Sequence, residues 1–135
     1  MKKLFTLIAA LVSLTANAQK LYKLPASTTQ NDYLAKTIII KVKPGFKSIC
    51  TNNKIDHIAF GAMLNAIGGT NLHKKFPNDR SPETPYNFTG LAYADLSLIY
   101  ELNYTIDVHI EKAISKLLTS GILVYAEPHF IPQPT

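Results

Sequence analysis

From Lys36 onward the hydrophobic positions fall into alternating, helical and continuous runs, and each run predicts an element. Thr37-Ile38-Ile39-Ile40-Lys41-Val42 is β-branched and stops at Lys43-Pro44-Gly45, a strand closed by a turn. Asn52 or Asn53 caps a helix reaching about Ile67, in which Lys54, His57, Gly61 and Asn65 form a narrow polar stripe and Gly68-Gly69 marks the stop. Thr70 to Phe76 reads as a second strand. Pro77 to Gly90, turn-rich and without periodicity, reads as a long hairpin connection or surface insertion. Leu96, Leu98, Tyr100, Leu102 and Tyr104 alternate with Ser97, Ile99, Glu101 and Asn103, which makes a third strand with one apolar face. Asp107 caps a second helix with Ile110, Ala113, Ile114 and Leu117 on one side, and after Gly121 the run Ile122 to Ala126 is a fourth strand. Ahead of all this, residues 19–35 are polar and non-periodic and read as a flexible leader.

The order strand, helix, strand, strand, helix, strand within residues 36–126 is the split βαβ pattern of an α+β, ferredoxin-like domain. Right-handed crossovers place both helices on one face of a four-stranded antiparallel sheet and leave the other face bare. Apolar residues occur at both parities of the strands, with Ile39 beside Ile38 and Ile40, and Ile99 beside Leu98 and Tyr100. The bare face is therefore expected either to be sticky enough to need a partner or to show one ordinary isoleucine per strand. After Ala126 the chain continues as Glu127-Pro128-His129-Phe130-Ile131-Pro132-Gln133-Pro134-Thr135. Pro132 and Pro134 bias Ile131 and Gln133 towards extended backbone, so residues 127–135 read as an extended tail. Such a tail either lies in a protease-like cleft, pairing by its backbone, or is a linker.

Composition narrows the setting. Lys2 and Lys3, the apolar run Leu4 to Leu14 and the small residues Ala16-Asn17-Ala18 predict a signal peptide over residues 1–18, and hence a secreted protein. Lys2 and Lys3 also supply two of the five net positive charges. No basic run longer than Lys74-Lys75 follows, which argues against nucleic acid. Cys50 is the single cysteine, so no internal disulfide staples the domain and packing or a partner must hold it. His57, His73, His109 and His129 lack metal-ligand spacing, and no nucleophile elbow, paired carboxylates, P-loop or dinucleotide fingerprint is present. The expectation is a chain without catalytic residues, metal or cofactor.

Three segments carry a resemblance. They are Ile38-Ile39-Ile40-Lys41-Val42-Lys43-Pro44-Gly45, Asp95-Leu96-Ser97-Leu98-Ile99-Tyr100-Glu101-Leu102, and Asp107 to Leu118 leading into Val124-Tyr125-Ala126-Glu127-Pro128-His129. Over residues 36–135 the chain resembles the N-terminal propeptide of secreted subtilisin-like serine proteases, especially those of the Bacteroidetes type. The resemblance implies a domain that helps the protease fold and stays bound as a transient inhibitor until it is cut away. It also implies that the bare sheet face docks on two helices of the protease, that Glu127 caps their N-termini, and that Pro132, Gln133, Pro134 and Thr135 occupy the substrate cleft. A carboxylate suits such N-termini, where unpaired N–H groups meet positive potential. His129 stands where the family often has a second acid, so its protonation is expected to affect docking. Thr135 is small for a residue before the scissile bond, which leaves a processing site further on open. Other readings stay open: a free-standing secreted inhibitor of the same fold, or a ferredoxin-like module for peptides or ligands with no protease partner.

Overall fold

The computed structural model of the chain describes residues 21–134; the expected signal peptide and Thr135 lie outside the described residues. Six main elements follow one another: β1 (Tyr33–Val42), α1 (Ile58–Ala66), β2 (Thr70–Lys74), β3 (Ile99–Asn103), α2 (Ile110–Leu118) and β4 (Leu123–Phe130). The strands form one sheet in the order β2-β3-β1-β4, with every neighbouring pair antiparallel. This is an α+β, ferredoxin-like arrangement with two helices, as the order of the elements predicts.

Strand alternation divides the side chains between the two sides of the sheet. Ile38, Ile40 and Val42 of β1, with Tyr100 and Leu102 of β3 and Ala126 of β4, join Phe60 and Ile67 from the first helical segment and Ile110, Ala113, Ile114 and Leu117 of α2 in one core. A fully buried aliphatic or aromatic side chain contributes about 1.5–3 kcal/mol relative to exposure, so this layer is the main source of stability. Ile39 and Ile99, of opposite parity, stand outside that core yet are only 8% and 7% exposed. The open face therefore presents no exposed isoleucine on these two strands.

Several boundaries move, for local reasons. The helix expected from Asn52 or Asn53 begins at Ile58 because the preceding residues are used in pairing. Cys50 bridges Ile55, the Lys74 N–H donates to the Asn52 carbonyl at 2.6 Å, and the Tyr100 hydroxyl donates to the Thr51 carbonyl. The cap is His57, whose Nδ1 accepts the Phe60 N–H at 3.1 Å. The cap of α2 likewise lies two residues beyond Asp107, at His109, whose Nδ1 accepts the Glu111 N–H at 3.3 Å. β3 begins at Ile99, since Ser97 is tied into a turn by Asp95.

Of the segment read as a flexible leader, residues 21–35 are described and are built into the domain. A 3-10 turn, Gln30–Asp32, is closed by a reciprocal capping box between Thr29 and Asp32, and β1 starts directly after it at Tyr33. Further back, the N–H groups of Tyr22 and Leu24 donate to Ser115 Oγ (2.9 Å) and Glu111 Oε1 (2.8 Å) on α2. Both side chains pack against the core.

Candidate functional site: the open sheet face and the C-terminal segment

β4 does not end at Ala126. It pairs with β1 through Glu127 opposite Ile39 and Pro128 opposite Ile38, and again at Phe130 opposite Tyr33. Proline is tolerated there because β4 is an edge strand, and its ring is fully buried on the helix side. Glu127 therefore belongs to the sheet rather than to a tail beyond it. The four β1 residues between Tyr33 and Ile38 face only His129 on β4, and Lys36 takes up this irregularity with φ of 51°. The last anchoring contact follows at once: the Ile131 N–H donates to the Asp32 carbonyl at 2.8 Å. Pro132, Gln133 and Pro134 then run on exposed, with no secondary structure.

Alternation puts Tyr125, Glu127 and His129 on the open face, together with Glu101 and Asn103 of β3. At the centre is Glu101, its side chain 17% exposed, which accepts from Lys75 Nζ at 3.2 Å and from His129 Nδ1 at 2.8 Å. An ionised carboxylate only accepts, so this geometry places a proton on His129 Nδ1. His73 Nε2 stands 3.9 Å from the same carboxylate. Burial works against ionisation of Glu101, but the hydrogen bonds and charges of His129 and Lys75 prevail and hold its carboxyl below the usual range. Beside this cluster, Asn103 Nδ2 donates to Thr37 Oγ1 at 3.0 Å.

Glu127 is different. It is exposed, and among the described residues it has neither hydrogen-bond nor ion-pair partner for its carboxylate. Its charge is felt by two neighbours: the hydroxyls of Tyr22 and Tyr125 are pushed up in pKa, first by burial and then by Glu127. The two residues expected to dock thus separate in behaviour. Glu127 presents an uncommitted anion, whereas His129 is turned back onto the sheet.

At the other end of the sheet a cleft of about 420 Å³ lies under the long β2–β3 connection, lined by Lys41, Pro44, Pro82, Pro85, Tyr93 and Leu98 among others. Asp95, also at this cleft, is committed to the Ser97 hydroxyl at 2.6 Å. The Cys50 thiol donates to the Phe46 carbonyl at 3.3 Å, and burial pushes its pKa up, which disfavours the reactive thiolate. Among the described residues no three His, Cys, Asp or Glu side chains are placed to hold a metal ion, and no helix is long and apolar enough to cross a membrane.

Glu101 and Lys75 were not singled out by the sequence as site residues. Extending the period of two through Pro128 to Phe130 would have put Glu127 and His129 on the same face as Glu101. Comparison with family models, with curated proteins and with solved structures finds no match.

Proposed function

We propose that this chain is a propeptide-type domain of a secreted subtilisin-like serine protease, acting as intramolecular chaperone and transient inhibitor and not as an enzyme itself. The path of the C-terminal segment carries the reading. An edge strand pinned at Phe130 and Ile131 passes without a turn into the exposed, proline-spaced residues Pro132 to Pro134. That combination suits a peptide delivered into a cleft from a rigid base, because fixed φ at the prolines lowers the ordering cost of laying the chain down. Glu127, uncommitted on the open face, is suited to helix N-termini of a docked protease, where a carboxylate meets unpaired N–H groups.

Docking on the open face and insertion of the tail are separable contributions, and this gives the test. The purified chain should inhibit a slowly processing subtilisin towards a small chromogenic substrate, and removal of Pro132 to Thr135 should leave docking but speed release. Binding should also raise the melting temperature of the chain by mass action. Absence of both inhibition and a thermal shift with any subtilisin tested would overturn the proposal. One observation favours a second reading, a ligand-binding module: the cleft beneath the β2–β3 connection, where Lys41, Lys47, Glu83 and Asp95 stand beside an apolar floor. Saturable binding of a small organic ligand in that cleft, with no inhibition of any protease, would select it.

A further inference from the structure

The exposed end of the chain is held at its base by two contacts from opposite sides. On one side the Ile131 N–H donates to the Asp32 carbonyl at 2.8 Å, from a turn that its own capping box fixes. On the other, His129 Nδ1 donates to Glu101 Oε1 at 2.8 Å, reaching across β1 to β3. Glu101 is in turn fixed by Lys75, the residue that follows β2. The sheet supplies a chain of side chains from one edge to the other whose last member is two residues from Ile131.

We infer that Glu101 is a positioning residue for the C-terminal tail: by holding His129 it sets the direction in which Ile131 to Pro134 leave the sheet. The inference rests on the proposed inhibitory role and adds to it a residue that does not itself enter the cleft. Without the latch, His129 is unanchored opposite four residues of β1, where regular pairing is interrupted. Backbone pairing alone leaves that stretch loosely specified. A tail whose base swings must be ordered on binding, and the lost preorganisation appears as faster release.

The test uses the full chain, its Glu101→Ala and Glu101→Gln variants, and the same three with residues 131–135 removed. Each is measured for release from a subtilisin whose catalytic serine is replaced by alanine. Glu101→Ala should speed release by about ten-fold in the full chain and by less than about two-fold in the shortened one. Glu101→Gln, whose amide oxygen still accepts from His129, should fall between the parent and Glu101→Ala. An equal effect with and without the tail would mean that Glu101 acts on the docked face directly, and no effect in either would remove its role; both overturn the inference. If the parent chain binds no subtilisin, the inhibitory reading fails. The latch is then judged by the backbone heteronuclear NOE at Ile131 and Gln133, which should drop in Glu101→Ala relative to the parent. Unchanged values there overturn it, and thermal melts of each variant separate loss of fold from loss of direction.

Discussion

Replacing Glu127 by alanine should separate docking from folding. The residue sits in β4 opposite Ile39, and that pairing is made by backbone groups that the substitution leaves in place. Its carboxylate is exposed and has no partner among the described residues, so the change in the domain's own stability should stay within about 0.5 kcal/mol. At a helix N-terminus the same carboxylate is worth about 0.3–1 kcal/mol when exposed and up to about 2 kcal/mol when partly buried. A docked face is the buried case, so the loss on binding should be about 1–2 kcal/mol, or about five- to thirty-fold in Kd. Titration calorimetry against an inactivated subtilisin reads the affinity, and a circular dichroism melt reads the fold. An internal control comes from Tyr22 and Tyr125, whose hydroxyls titrate high through burial and then through the Glu127 charge. In Glu127→Ala their phenolate transitions should move down in pH with the fold intact. Equal affinity for variant and parent would refute the docking role, and a large drop in melting temperature would refute the claim that the side chain is structurally uncommitted.

Two further expectations concern the fold. Glu101 has its carboxyl pKa lowered in the folded state, so it contributes stability present above its unfolded value of 4.5 and lost as pH falls through the lower folded value. Asp95, lowered against its burial by hydrogen bonds from Ser97 and Ser81 and by Lys47, likewise contributes stability that is present above its unfolded value of 3.8 and lost as pH falls below it. Acid melts should therefore lose stability from about pH 4.5 downward, and Glu101→Gln should flatten the upper part of that loss; a parallel curve for the variant would argue against it. Gly68→Ala should destabilise more than Gly121→Ala. Both glycines have positive φ, 64° and 79°, which costs alanine about 1–2 kcal/mol, but only at Gly68 does the added Cβ come within 2.1 Å of Thr105 Oγ1. Thermal melts compare the two directly, and equal shifts would mean that Thr105 moves aside without cost.

The layers of the fold are readable from the chain because they rest on periodicity. Tyr100 and Leu102 alternate with Glu101 and Asn103 whatever the surroundings, and Ile110, Ala113, Ile114 and Leu117 stack on one side of a helix by geometry alone. The ends of elements are less readable, since they depend on which hydrogen bonds win locally. Asn52 is a good cap by type, yet its carbonyl is taken by the Lys74 N–H, 22 residues away in sequence, and a histidine caps the helix instead. The order of residues 21–35 is hidden from the sequence for a related reason: the polar residues gain a fixed conformation through the Thr29–Asp32 capping box, and Tyr22 and Leu24 through α2.

Pro128 had the largest consequence for the site. Read locally, a proline after Ala126 ends a strand, and everything past it becomes tail. In an edge strand the same residue buries its ring against the core and lets pairing resume at Phe130. Moving that boundary by four residues changes the chemistry available. Glu127 becomes a fixed point on the open face, His129 becomes a sheet residue within reach of Glu101, and the exposed segment shortens to the part after Ile131. A short segment on a base clamped by Asp32 and Glu101 has fewer directions to lose on binding than a nine-residue tail hinged at Ala126. Under the proposed inhibitory role, that economy of conformational entropy is the stronger argument for an extended peptide poised to enter a cleft.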